Sequence, residues 1–298
     1  MADRLSLAGW SIHRRFQRDE NPLALTQYPA VAREEFGFDA VELNNLFFAS
    51  TDDTYLRELA GAARRARVTF TGIAVDGTGD PSALDERRRR EAVRSALPWF
   101  EISKKLGIPM LRINTGGNGA EKDPRAIDQC IRSMKELVKA AEETGVKLLI
   151  ENHGGLSVNP LNMVRIVQEV DHPMFGVLPD FGNFPDPERP RFLSWLQEEA
   201  GGIPPEEVRY WGLKQLAPYA LAVHVKVYSF NDAGEDQRID VFRGVRILRE
   251  AGYSGYWALE YGGRGDDHEG VLKGKRLLER ALWKEADSET SCSKRSLP

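Results

Sequence analysis

The chain has 298 residues, 41% of them hydrophobic and 29% charged, and a net charge of −4; that size suits one large domain, a barrel of about 250 residues being common at this length. The acidic balance gives no general attraction to nucleic acid or to an anionic membrane surface. Cys130 and Cys292 show neither metal-type spacing nor a disulfide framework, and no apolar run reaches the ~18 residues of a membrane span.

Eight short segments read as strands: 5–10, 39–43, 68–75, 109–114, 146–151, 175–180, 221–227 and 256–260. They are rich in apolar or β-branched residues and are mostly punctuated by Gly or Pro. The pair Arg14–Arg15 leads into FQRDENPL, which is no signal-peptide hydrophobic region. A cytoplasmic protein is therefore expected. Helical spacing follows at 54–66 and again at 85–106, where Arg87 to Arg90 read as a solvated face beside Glu86 and Glu91. Asp123–Pro124 opens the next helix as cap and first-turn proline, and Gly145 stops it. Asn159–Pro160 opens another in the same way. Later helices are expected at 206–219, 240–251 and 269–284, with a short one at 192–199 inside the long connection 185–205, which could cover a pocket. Alternating β and α units predict parallel strands with helices outside them. Eight units fit a single (β/α)₈ barrel over 1–286, and the polar stretch 287–298 reads as a disordered tail. A doubly wound open sheet is the weaker alternative, because no GxGxxG follows the first strand.

The chemistry collects at strand ends. In KLLIENHGG an apolar run ends in Glu151, Asn152 and His153. Strand side chains alternate, so Glu151 and His153 share a face. VLPDFGN ends in Asp180, LAVHVKV carries His224 and Lys226 two apart, and YWALEYGG ends in Glu260. About 30 to 45 residues separate Glu151, Asp180, His224 and Glu260, the interval of a strand plus its crossover helix. Any one such acid could be a helix cap or an ion-pair partner. Four at consecutive strand ends converge on the mouth of a barrel. Three carboxylates and one imidazole form a hard, anionic ligand set for one divalent cation, Mn²⁺ or Mg²⁺ first, with Co²⁺ or Zn²⁺ as alternatives.

His153 would transfer a proton, bond a substrate oxygen, or orient a ligand. Lys226 would polarise a carbonyl, pair with one of the carboxylates, or do both. Glu42 with Asn44 and Arg112 with Asn114 close the second and fourth strands, while Trp10 and His13 flank the first. These groups match a polyhydroxylated ligand, which wants many hydrogen bonds and one apolar platform. His172 and His268 read as surface positions. Trp195 and Trp211 would serve the core or a homo-oligomer contact.

Taken together, ENHGG, PDFGN, HVK and GYSGYWALE resemble the sugar isomerase/epimerase superfamily with the xylose-isomerase-like barrel, over roughly residues 5–282. The resemblance implies that Glu151, Asp180, His224 and Glu260 bind one divalent metal, and that Glu151 and Glu260 exchange a substrate proton. Asn183 stands where the epimerase branch often has histidine, and Val227 where the superfamily often has Asp after HVK; both Asn152 and Asn183 are counted with the substrate-binding groups. The superfamily also holds keto-cyclitol dehydratases, enzymes that eliminate from 3-keto-glycosides, and apurinic endonucleases with a histidine-rich metal cluster. Five histidines and a negative net charge argue against the last. The expected function is a metal-dependent isomerase or epimerase working through an enediolate. The alternatives are a lyase sharing that intermediate and a non-catalytic sugar-binding barrel.

Overall fold

The computed structural model describes residues 3–293, with side-chain surroundings up to residue 284. Eight strands form one sheet: β1 (Arg4–Ala8), β2 (Ala40–Asn44), β3 (Thr69–Val75), β4 (Met110–Ile113), β5 (Lys147–Glu151), β6 (Phe175–Leu178), β7 (Val223–Val227) and β8 (Tyr256–Tyr261). The order is β6-β5-β4-β3-β2-β1-β8-β7, and every pairing is parallel. Isolated bridges Val177–Ala220 and Asp180–His224 join β6 to β7, which closes the ring into a (β/α)₈ barrel. The inner face of such a ring is filled by side chains, so the site must lie where the strands run out.

Helices surround it: α1 (His13–Phe16), α2 (Tyr28–Glu34), α3 (Asp53–Ala66), α4 (Glu86–Leu106), α5 (Pro124–Thr144), α6 (Pro160–Val170), α7 (Leu193–Glu199), α8 (Val208–Leu216), α9 (Val241–Glu250) and α10 (Asp267–Ser293). The caps follow the sequence signals. Asp123 accepts from Arg125 N and Asn159 from Leu161 N, each before a first-turn proline, and Gly145 ends α5 in the left-handed region. No described helix is long and apolar enough to cross a membrane.

Three features depart from the sequence reading. First, α2 was not anticipated, because seven residues with a proline in the first turn are too short to display a helical period. Second, the arginine run is not simply a solvated face. Arg89 is buried between α4 and α5, where it meets Glu86 at 2.9 Å, Glu136 at 2.8 Å and Ser133 Oγ at 3.0 Å, while Arg90 stays exposed. Third, 287–293 continue α10, because no Gly or Pro interrupts the helix-compatible run after Lys284; 294–298 lie outside the described residues.

One glycine holds two mouth loops together. Gly155 has φ +55°, and an added Cβ would sit 1.9 Å from the carbonyl oxygen of Gly116. That same carbonyl accepts from Leu156 N at 2.9 Å, so the loop after β5 is docked on the loop after β4. Gly155→Ala is expected to cost about 2–3 kcal/mol, through positive-φ strain and the lost close approach. Urea denaturation of the variant checks this value.

Candidate metal centre and active site

Barrel closure brings the strand ends together. The Asp180–His224 bridge sets β6 and β7 side by side, with Phe181 N donating to His224 O at 3.0 Å. One ligand atom from each of Glu151, Asp180 and His224 lies within 4.8 Å of the other two, and all three residues are buried. Glu260 reaches the cluster from β8, its Oε2 3.0 Å from His224 Nδ1. Asp180 Oδ2 and Glu151 Oε1 lie 3.6 and 3.7 Å from the same nitrogen. His224 Nδ1 is nevertheless a buried atom without a well-aligned hydrogen bond.

The other imidazole nitrogen explains its orientation. His224 Nε2 lies 3.0 and 3.1 Å from the two oxygens of Glu42, across the barrel on β2. A proton on Nε2 donates to Glu42, so that a divalent cation displacing the proton on Nδ1 would meet that nitrogen among the three carboxylates. The β2–β3 pairing is irregular beside Glu42, where β3 carries one extra residue, Thr71, between the partners of Val41 and Glu42. The donor set fits a hard divalent cation held by Glu151, Asp180 and His224, with Glu260 beside them.

A pocket opens over this cluster, and Trp10, Glu42, Arg112, His153, Lys226 and Asp76 are among its walls. Parallel register puts Lys226 directly beside Glu260, and Nζ lies 2.6 Å from Glu260 Oε1 and 3.5 Å from Asp180 Oδ2. Arg112 Nε lies 2.8 Å from Glu151 Oε2, and its Nη1 donates to Asp76 at 2.7 Å. Asp76 was missed by the sequence reading. Its signal was available, since it follows the third strand directly, as Asp180 follows the sixth. It also accepts from Asn44 and Asn114, at 3.1 and 2.8 Å.

Several residues expected to contact substrate also brace the site. Asn152 is buried, with its amide closed on the Asp180 backbone: Nδ2 donates to Asp180 O and Oδ1 accepts from Asp180 N, at 2.9 and 2.7 Å. Its turn off the end of β5 sends it to that neighbouring strand end rather than into the pocket. Asn114 is engaged by Asp76 and Arg112. His13 stacks on Trp10 at 4.6 Å and bonds Trp10 O through Nδ1, which supports the pocket wall rather than forming it. Asn183 donates to Glu151 Oε1 at 2.9 Å and accepts from Lys226 at 3.1 Å. Nor does 185–205 cover the pocket: Pro185, Arg189, Arg191 and Phe192 wall a separate depression beside it.

The electrostatics call for positive charge. Burial alone would push the Glu151 carboxyl up, but the Arg112 guanidinium and the neighbouring imidazoles bring it down to about 2. Burial also opposes ionisation of Glu260, yet Lys226 and His224 hold it well below the usual carboxylate range. His224 shows the converse. Burial disfavours its charge, but Glu42, Asp180, Glu151 and Glu260 raise its pKa well above the ordinary histidine value. Burial likewise disfavours the Lys226 ammonium, which Asp180 and Glu260 keep charged.

The comparisons agree with this architecture. Residues 30–281 match the family described as the xylose isomerase-like TIM barrel. The chain belongs to that family. An uncharacterised protein of Methanocaldococcus jannaschii is 23% identical over 269 residues, covering 83% of this chain and 82% of that one. A solved L-ribulose 3-epimerase superposes with a TM-score of 0.75 at 14% identity, covering all of both chains. A probable 3-DHS dehydratase from Bacillus anthracis superposes with a TM-score of 0.66 at 16% identity, covering 93% of this chain and 98% of that one. At such identities the two structures share the fold of this family member.

Proposed function

We propose that this family member is a divalent-metal-dependent isomerase or epimerase acting on a sugar, keto-sugar or cyclitol by proton transfer beside a carbonyl. The observation that carries the reading is the buried His224 Nδ1, lacking an aligned hydrogen bond and facing three carboxylates, while Glu42 holds its other nitrogen. Glu151, Asp180, His224 and Glu260 would hold the ion, with Mn²⁺ preferred. A bound divalent cation supplies Lewis acidity to a substrate carbonyl and so acidifies the neighbouring carbon-bound hydrogen.

The chain's own groups do the rest. Glu151 and Glu260 come from strands three apart in the ring and approach a substrate carbon from different sides. One removes the proton and the other, or His153, returns it. The Lys226 ammonium and Arg112 guanidinium hold substrate oxygens, and both stay charged through the physiological range. The likeness to a dehydratase favours one second reading, in which the same carbanion expels a leaving group and His153 protonates it.

Metal analysis of the purified protein, with deuterium exchange in D₂O on ketoses, inososes and 3-keto-glycosides, tests the proposal. About one ion per chain and deuterium entering a carbon next to a carbonyl are expected. No metal and no exchange, even with added Mn²⁺, Mg²⁺, Co²⁺ or Zn²⁺, would sink it. A subsidiary expectation concerns Glu42. Glu42→Gln should weaken metal binding about 10–100-fold, because the imidazole loses its anionic partner. Competition against a fluorescent chelator measures that change.

A further inference from the structure

Beside the candidate metal centre lies a second, open depression, and the sugar-processing reading does not use it. Asn118, Glu121, Gly154, Asn183, Arg191 and Phe192 are among its walls. It adjoins the central pocket at two points. His153 lines the central pocket and the next residue, Gly154, lines the outer one. Asn183 lines the outer depression while touching Glu151 and Lys226, at 2.9 and 3.1 Å. A molecule reacting at Glu151 and too large for the inner pocket extends past these residues.

The outer walls carry a particular chemistry. Phe192 offers one aromatic face, Asn118 offers a carboxamide, and Glu121 offers a largely buried carboxylate. An aromatic plane beside mixed donors and acceptors suits the C–H face and the hydroxyls of a saturated polyol ring. Glu121 accepts from Gly119 N at 3.0 Å and lies 3.7 Å from Arg191 Nη2. The guanidiniums of Arg189 and Arg191 line the same depression, so charged donors and an acceptor stand together there.

The backbone supplies an independent sign. Phe192 has φ +69°, in the left-handed region that bulky residues avoid. Strain of this kind persists only where the surroundings hold it, and it concentrates at ligand sites. Here it sets the Phe192 ring at the wall, with the Arg191 guanidinium 4.7 Å from its centroid. The Gly154 backbone is another part of the wall, where an added Cβ would find nothing closer than Asn118 Oδ1, at 3.9 Å.

We propose that this depression is a subsite for a second sugar ring, so that the substrate is a glycoside or disaccharide rather than a free monosaccharide. This rests on the sugar-processing reading above. The test is saturation-transfer NMR on the full chain in MgCl₂, with D-glucose and a set of α- and β-linked glucose disaccharides as probes. At least one disaccharide should bind about tenfold more tightly than D-glucose. Phe192→Gly should erase that advantage and leave D-glucose binding unchanged. Its thermal midpoint should not fall, because glycine is at ease at positive φ. Equal binding of mono- and disaccharides, or an advantage that survives Phe192→Gly, would overturn the subsite. Deuterium exchange on free ketoses, run in parallel, separates the two ideas. Exchange without a disaccharide advantage removes the subsite alone; an advantage without exchange on any substrate removes the isomerase reading alone.

Discussion

Glu260→Gln in the Mn²⁺-loaded protein is expected to reduce deuterium exchange by about 10²–10⁴-fold, the range for loss of a positioned acid–base group. Glutamine keeps the length of the side chain and an oxygen for Lys226, which now sits 2.6 Å from Glu260 Oε1. The fold and the Glu151–Asp180–His224 cluster should therefore survive, and metal content should fall much less than exchange. Glu151→Gln should lose exchange to a similar extent, because the reaction uses both carboxylates in sequence. Near-wild-type exchange in either variant would refute the two-carboxylate mechanism. His153→Ala addresses the second reading. Loss of elimination with exchange intact would identify a lyase, whereas parallel loss of both would put His153 in the proton transfer itself.

Arg112→Ala should destabilise the metal-free protein by about 3–5 kcal/mol, the usual cost of removing one partner from a buried ion pair. The guanidinium spans Glu151 at 2.8 Å and Asp76 at 2.7 Å, and both Arg112 and Glu151 are buried. Its loss leaves an anion in a low-dielectric site with no cation beside that oxygen. Urea denaturation in EDTA measures the effect, and a cost below about 1 kcal/mol, the value of an exposed pair, would contradict it. The pH dependence should change as well. Burial opposes the charge on Glu151, but Arg112, with His224 and His153 beside it, outweighs burial and brings the carboxyl from 4.5 in the unfolded chain down to about 2. A depressed carboxylate stabilises the fold above the unfolded value. In the wild type this contribution is present above pH 4.5 and is lost as pH falls toward about 2. In Arg112→Ala the loss should be smaller across that window, since there is less depression to forfeit.

The strand ends were legible because their signal is local. An apolar run closed or interrupted by a polar side chain reports both a strand and a candidate site residue, as at Glu151, Asp180, His224 and Glu260. Asp76 carries the same signal, but a lone Asp between a strand and GTGD reads equally well as a loop residue. Asn152 was misplaced for a related reason. Alternation puts it on the face opposite Glu151, and only the neighbouring strand shows that this face meets the Asp180 backbone.

By itself, the sequence determined the alternating β and α units, the eightfold count and the residue types at each strand end, since periodicity and capping act over a few residues. What each of those residues touches was decided by the tertiary structure. Glu42 and His224 are 182 positions apart and meet only because the ring closes. Lys226 pairs with Glu260 because parallel register sets them side by side, and Phe192 faces a depression because the loops after β5 and β6 pack together. Those contacts depend on strand order, register and closure, which are set by packing summed over the whole barrel and leave no mark in any short window of sequence.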